Sequence, residues 1–553
     1  MNYIKYTLFS VLLVGLFSCE SETVEDLRNR NAQEEAKVFE EFTQGNADFS
    51  NYVSLGNSLT AGFSDGALYK ASQNNSMPSI LAQQFAAVAN GGDFTQPLMN
   101  DNIGGLLAGG NPLPDFGPRF VFDGEGPTPL DSIVPGVTPT TDILANTPQG
   151  PFNNLGVPGA KSFHLLAPNY GDFTGVLADP PTANPYFVRM ASSPQTTVIT
   201  DAIAQQPSFV SVWIGNNDVL GYALSGGDGS DPITPIDGPP GVGFQQTYET
   251  IAASLTGNIS NLKGIMANIP NVTAIPHFTT VPHDPLDPED EEFAAQIPSL
   301  NAIFGGINQV FTALGETDRI IEFSTDEPNP VVIHDENLSD VSAQITGALA
   351  SSPEFIVLVE SFGLPAQAAP QVAGLLGATY GQARQATADD LLVLPSSSVI
   401  GTVNTDRLAF LISQGLSQQL AGQFSVEGIS LPLEDKWVLT PEEQDDIATA
   451  TAQFNQVISD VATSSGFALL DANALLDQLA TTGIESSNLV LTSSLVTGGA
   501  FSLDGVHPTS RGYALIANEM LKAIDGTYET NFEASGNLVD VSDYNTTYSP
   551  TLQ

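Results

Sequence analysis

The sequence predicts an α/β protein: a mostly parallel sheet with helices on both faces, on a chain with large insertions. Three observations lead there. Short apolar runs recur, each bounded by turn residues. Helix-length stretches separate one run from the next. The 553 residues are 42% apolar and only 14% charged, ample for a large core. Strands that alternate with helices need crossover connections, which are right-handed and lay the helices against the sheet.

In chain order, Tyr52–Leu55 reads as the first strand, and Pro78–Ala89 as the helix after it. Thr197–Gln205 is helix-like and leads into a strand over Phe209–Ile214. Phe244–Ala267 reads as a helix before a strand at Val272–Phe278, and Pro441–Thr463 as a helix before a strand at Phe467–Leu470. Two stretches break the rhythm. Residues 90–150 are rich in Gly, Pro and Asn and read as long ordered loops. Residues 285–440 carry helical pieces at Val341–Ala350 and Ala366–Ala378 and a strand-like run at Phe355–Val359. That segment is either a cap over a site or a structural decoration. Residues 49–525 therefore form the body, and the polar 526–553 a tail that wraps it or trails from it.

Charge and cysteine content narrow the function classes. Sixty-two acidic side chains against 15 basic ones give a formal net charge of −47. Such an excess repels nucleic-acid phosphates, so no nucleic-acid partner is expected. The acidic run Asp284–Glu292 lacks a calcium-loop spacing and reads as a solvated face. No zinc pattern or phosphate-binding glycine loop is present, and no cofactor or metal is expected. The single cysteine, Cys19, excludes an intramolecular disulfide. It follows a secretory pattern over residues 1–18: an early cation, Lys5, then the apolar run Leu8–Leu16, too short to span a bilayer. Residues 19–48 are polar and read as a tether, with a short helix around Glu34–Phe42. Ser18-Cys19 resembles a bacterial lipobox, which implies cleavage before Cys19, lipidation of its thiol and a membrane anchor. Glu20-Ser21-Glu22 is similar to the acidic export tag of surface-exposed Bacteroidota lipoproteins. The implied location is the cell envelope, as an outer-membrane and surface-exposed lipoprotein.

The stretch Tyr52–Gly66 offers two serines. Gly62-Phe63-Ser64-Asp65-Gly66 fits the G-x-S-x-G pattern, but an elbow nucleophile needs a strand running into the turn and a helix leaving it. Ser64 has neither. Ser58 follows a strand that ends at Gly56, where the carboxyl edge of a parallel sheet opens and ligands bind. A serine hydroxyl needs a base to take its proton. Of five histidines, His507 has Asp504 three residues before it and a helix-like run after Pro508. A carboxylate folded back onto one imidazole nitrogen fixes the tautomer and leaves the other nitrogen for the serine. His164 reads as a packing residue, His277 and His283 as bracketing the end of a strand, and His334 as part of the 285–440 segment.

Acyl transfer also needs donors for an oxyanion. In Trp213-Ile214-Gly215-Asn216-Asn217-Asp218 a strand ends in glycine and amides, and an Asn side chain there donates without carrying charge. In Asn154-Leu155-Gly156-Val157-Pro158-Gly159-Ala160 two glycines let the backbone approach a ligand. Either stretch alone also fits a plain turn.

Taken together and in this order, Gly56-Asn57-Ser58-Leu59, Gly159, Gly215-Asn216-Asn217-Asp218 and Asp504-Gly505-Val506-His507 resemble the SGNH (GDSL) hydrolase family. The resemblance covers about half of the chain. It implies a three-layer α/β/α, flavodoxin-like fold and ester hydrolysis through an acyl-serine. It makes Ser58 the nucleophile and an oxyanion donor through its own N–H. Gly159 and Asn217 become the other two donors, and His507 the base oriented by Asp504. Gly159 rather than Gly156 follows from the family's spacing after Asn154. The family's usual Asp before the serine is Asn57 here; activity should survive, with local hydrogen bonding altered. The expected function is a lipid-anchored serine esterase or lipase acting on carboxylic esters, with the apolar helices of 285–440 shaping an acyl pocket. The expected partners are an ester substrate, a lipid or an acylated glycan, and the membrane through Cys19. The alternatives are a carbohydrate O-acetyl esterase and a non-catalytic binding lipoprotein on the same fold. Oligomeric state is not encoded legibly.

Overall fold

The computed structural model describes residues 39–553. The signal segment 1–18, Cys19 and tether residues 20–38 lie outside the described residues. Of the expected helix at 34–42, residues 39–42 are described and are not helical. Among the described residues, no helix is long and apolar enough to cross a membrane.

Five parallel strands form the central sheet: β1 (Tyr52–Gly56), β2 (Asn154–Gly156), β3 (Phe209–Trp213), β4 (Lys263–Ala267) and β5 (Ala468–Leu470). They lie in the order β5-β4-β3-β1-β2. Every residue of β1 and of β3 is buried, as expected of central strands in a parallel sheet covered on both faces. The register sets Gly56 of β1 opposite Gly156 of β2 and Trp213 of β3, so the carboxyl ends of the three strands lie level.

The helices that matter to the site are α1 (Ser58–Ala61), α2 (Met77–Val88), α3 (Val198–Ala204), α4 (Asn217–Leu224), α5 (Phe244–Asn258), α6 (Pro441–Ser465), α7 (Ala472–Thr481) and α8 (Ser510–Tyr528). Helix α8 packs on β4, β5 and α2, while α5 packs on α3 and α6. Local sequence starts and stops them. Ser76 caps α2 with Pro78 in its first turn, Thr197 caps α3, Thr440 and Glu443 close a capping box on α6, and Gly466 ends α6 in the left-handed conformation.

Three expectations are corrected. The helix expected over Phe244–Ala267 ends at Asn258, and its last five residues are strand β4. The strand expected at Val272–Phe278 is instead two short helical turns, Val272–Ala274 and Pro276–Thr279. Continuous apolar character misled there: Lys263-Gly264-Ile265-Met266-Ala267 is buried on both faces and has no period to separate it from the helix before it. The third is Phe355–Val359, which lies in the helix Pro353–Ser361. Ser352 caps that helix, Pro353 opens it, and Phe355 and Val359, four apart, point the same way into the interior.

Residues 286–438 build a second hydrophobic core, separate from the one around the sheet. Residues 90–150 are largely irregular, with two short hairpins and the helical turn Leu130–Ile133. The tail wraps the body, with Phe532 and Val541 buried in the main core.

Candidate active site

The site forms where β1, β2 and β3 end. Asn57 is the cap of α1: its Oδ1 accepts the Leu59 N–H at 3.0 Å and turns the chain so that Ser58 opens the helix. Asn57 Nδ2 donates to Asn216 Oδ1 at 3.0 Å, tying the turn after β1 to the turn after β3. Val157 N–H donates to Gly56 O at 2.9 Å, which ties in the turn after β2. Three turns from three adjacent strands are thereby held in one place.

Ser58 and His507 meet although 449 positions separate them: Ser58 Oγ lies 2.9 Å from His507 Nε2. His507 Nδ1 lies 2.9 Å from Asp504 Oδ2. Asp504 accepts four further donors. Its Oδ1 takes the backbone N–H of His507 at 2.8 Å, that of Val506 at 2.9 Å and the Ser502 hydroxyl at 3.0 Å; its Oδ2 takes the Gly66 N–H at 2.9 Å. Burial works to raise the Asp504 pKa, but the His507 imidazole and these N–H groups outweigh it and hold the carboxyl well below the usual range. The carboxylate is therefore charged, fixed and ready to hold a proton on Nδ1, leaving Nε2 to accept one from Ser58.

Ser64, the better textual match to a nucleophile, is only 2% exposed and its Oγ donates to Pro508 O at 3.1 Å. Its neighbours support the Asp504 loop. Asp65 N–H donates to Ser502 Oγ at 2.9 Å, Leu503 N–H to Asp65 Oδ1 at 3.1 Å, and Tyr513 hydroxyl to Phe63 O at 2.7 Å. The Phe63 ring lies 4.6 Å from the His507 ring. Burial pushes Asp65 up to about 6, against the Tyr69 hydroxyl that donates to it at 2.6 Å. The motif that looked catalytic is thus the second wall of the histidine's cradle. Sequence reasoning missed this role for Gly66, Asp65 and Ser502, because their partners lie more than 430 positions away.

The two glycines after β2 differ. Gly156 sits so close to α1 that a Cβ would lie 2.3 Å from Ala61 N, so it serves packing. Gly159 has φ +79° and open space around its Cβ position, with only Asn184 Nδ2 near, at 3.9 Å. Asn217 Nδ2 donates to Ala160 O at 2.9 Å, which brings that side chain beside Gly159 and leaves one amide hydrogen free. The N–H groups of Ser58 and Gly159 engage no acceptor among the described residues. Asp218 secures the same turn by accepting both the N–H and the hydroxyl of Ser162, each at 2.7 Å; burial pushes its carboxyl up to about 6. The arrangement offers a nucleophile, a base and three N–H donors at one sheet edge.

The other histidines make no hydrogen bond to Ser58, Asp504 or His507, although His277 packs against the loop that carries the last two. His164 Nδ1 accepts the Lys161 N–H at 2.9 Å and its ring stacks on Tyr170; burial lowers it to about 4. His277 is in a helical turn rather than at a strand end, and its backbone N–H donates to Gly505 O at 2.9 Å. Burial lowers its imidazole to about 4 as well. His283 lies 3.7 Å from Asp284, and His334 ends a short strand, Val332–His334, opposite Ala383.

Residues 285–440 reach the loop that carries Asp504 and His507 at one point, where a Cβ at Gly505 would lie 3.0 Å from Leu394 Cδ2. An apolar cleft lined by Leu59, Trp213, Leu475, Val506, Leu515 and their neighbours includes the chain neighbours of Ser58 and His507 but neither residue itself, and none of its lining comes from that segment. A cavity of about 1000 Å³ at the segment's own surface, from Thr280 to Ile429, includes none of Ser58, Asp504 or His507. Its helices pack on one another into a separate core and spend their apolar faces there.

No protein-family model matches the chain, and comparisons with curated proteins and with solved structures find no significant similarity.

Proposed function

We propose that this chain is a carboxylic ester hydrolase of the SGNH (GDSL) type, working through an acyl-serine intermediate. One observation carries the reading: the Ser58 Oγ to His507 Nε2 contact of 2.9 Å, backed by the Asp504 contact to Nδ1 at the same distance. The strand order, 2-1-3-4-5 in chain numbering, is that of flavodoxin-like sheets and supports a three-layer α/β/α body with residues 285–440 inserted. The relay lies where β1 is flanked by β2 on one side and β3 on the other, the switch point at which such sheets bind ligands.

In this mechanism Ser58 Oγ attacks the ester carbonyl carbon as His507 Nε2 takes its proton. The negative oxygen of the tetrahedral intermediate accepts hydrogen bonds from the N–H of Ser58, the N–H of Gly159 and Asn217 Nδ2. Collapse breaks the ester C–O bond, and His507 returns the proton to the leaving alkoxide. Water then repeats the sequence on the acyl-serine, releasing the acid. Asp504 stays ionised throughout and keeps the imidazolium oriented.

Within this reading an aliphatic acyl group is preferred over acetyl, supported by the apolar cleft whose lining includes Leu59 and Val506, the chain neighbours of Ser58 and His507. The envelope location and the lipid anchor at Cys19 remain part of the proposal and rest on the sequence of residues 1–22.

The test uses p-nitrophenyl esters of increasing acyl length with the chain lacking residues 1–19. Activity is expected to rise from acetyl to longer acyl groups and to vanish in Ser58→Ala and His507→Ala, but not in Ser64→Ala. A serine-directed phosphonate should label Ser58. Full activity in Ser58→Ala, or no labelling of the parent, overturns the reading. For the anchor, Cys19→Ala should release the full chain from membranes, and an unchanged membrane fraction refutes it.

A further inference from the structure

Outside the relay, three carboxylates converge. Glu336 follows the short strand Val332–His334, Asp435 sits in the turn before Val438–Leu439, and Glu443 lies in the first turn of α6. One oxygen from each lies within 4.8 Å of the other two. Oxygens sharing one calcium ion, each at about 2.4 Å, stand at most about 4.8 Å apart.

Like charges this close need a counter-charge, and among the described residues no Lys or Arg pairs with any of the three. The neighbouring cations are engaged elsewhere. Arg384 binds Asp335 and Asp390 at 2.6–2.7 Å, and Lys436 turns to Glu434 and lies over the Trp437 ring. Independently of the clustering, Glu443 is only 4% exposed, yet its Oε1 has no hydrogen-bond partner; only Oε2 is satisfied, by the Thr440 N–H at 2.6 Å. Asp435 Oδ1 is likewise buried and unpartnered. Buried carboxylate oxygens are almost always satisfied, so two orphans in one cluster point to a missing ligand. The Gly226–Gly227 turn covers the cluster so closely that a Cβ at 227 would lie 2.4 Å from Glu443 Cδ, leaving no room for a side-chain amide from that side.

We propose that Glu336, Asp435 and Glu443 bind a hard divalent cation, calcium. Three carboxylates are more than magnesium takes from protein in its usual sites, and oxygen-only ligands exclude the soft metals. The cation joins the two cores: Glu336 and Asp435 belong to the 285–440 segment, and Glu443 opens a helix that packs on the sheet. The sequence alone hides the site because its members stand at 336, 435 and 443 with no loop spacing.

The full chain, stripped with EDTA, provides the test. Millimolar calcium should raise Tm by several degrees, magnesium by less, and sodium at matched ionic strength not at all. Terbium should bind and luminesce through nearby Tyr222 or Trp437, and calcium should displace it. Asp435→Asn and the double variant Glu336→Gln/Glu443→Gln should lose both responses. Their metal-free Tm should equal or exceed the parent's, because repulsion is relieved; this shows that they fold. A parent with no calcium-dependent Tm shift overturns the proposal, as does a shift that persists unchanged in the folded variants.

Discussion

Gly66 donates its backbone N–H to the same Asp504 oxygen that faces His507 Nδ1, each at 2.9 Å. The chain segment directly after helix α1 therefore grips the carboxylate that faces the His507 imidazole. With Ser502, Val506 and His507 also donating, Asp504 has five donors and no freedom to turn.

That crowding predicts the behaviour of Asp504→Asn. An amide in place of the carboxylate faces five N–H or O–H groups with one oxygen, so at least one donor is left opposed by NH₂. The imidazole also loses the partner that fixes its tautomer. A loss in kcat on the order of 10³ to 10⁴ is expected, with KM little changed, together with a lower Tm. Steady-state kinetics on a p-nitrophenyl ester decide it; a loss below tenfold would mean that Asp504 is not the orienting group.

Asn57→Asp, which restores the residue usual before the serine in the family this chain resembles, should be tolerated. The carboxylate keeps the cap on the Leu59 N–H but cannot donate to Asn216 Oδ1. Asn216 Nδ2 is buried without a partner, so turning that amide over gives the new carboxylate a donor. Activity within about tenfold of the parent is expected, since the triad contacts are untouched. Combining Asn57→Asp with Asn216→Ala, which removes the rescuing donor, should cost more than the two single changes together.

How much of this was legible in the sequence depended on range. Strands β1, β3 and β5 stood out because glycine or turn residues bound short apolar runs; β4 merged with the helix before it, and β2, three residues long, was hidden by the glycine-containing turn it runs into. Ser58, Asp504 and His507 were readable from local context, strand-then-serine and Asp-x-x-His. Their supports were not. Gly66 to Asp504, Ser64 to Pro508 and Asn57 to Asn216 are contacts across 159 to 444 positions, and a single chain gives no local signal for them.

Stability should depend on pH through buried carboxylates. Burial pushes Asp65 and Asp218 up to about 6. Between about pH 4, where the unfolded carboxyls ionise, and about pH 6 the folded chain binds more protons than the unfolded one. Stability from these two groups therefore falls as pH rises through that window. Asp504, held low despite its burial by His507 and its N–H donors, acts in the opposite sense: its contribution is present above about pH 4 and is lost as pH falls below it. Thermal denaturation in EDTA should show Tm declining from pH 4.5 to 6.5, and Asp65→Asn should flatten that decline. A decline equally steep in Asp65→Asn and Asp218→Asn would place its origin elsewhere.

The tail, finally, should be needed for the site although it lies on the far end of the chain. Arg119 is fully buried, and its guanidinium donates to three tail carbonyls: Tyr548 O at 3.2 Å, Ser549 O at 2.8 Å and Leu552 O at 3.0 Å. The same group lies 5.3 Å from the centre of the Tyr69 ring, whose hydroxyl donates to Asp65, which in turn holds the Leu503 N–H just before Asp504. Deleting residues 546–553 leaves a buried cation short of three acceptors, a cost of about 3 kcal/mol or more, and slackens the chain of contacts that ends at the loop carrying Asp504 and His507. The truncated chain should melt several degrees lower and show reduced kcat with little change in KM. Replacing the stranded charge, as Arg119→Met in the truncated chain, should recover part of the lost stability but not the lost rate, because the tail carbonyls stabilise the cation while Tyr69 and Asp65 still lack their support. An unaltered Tm after truncation would show that water satisfies Arg119 as well as the tail does.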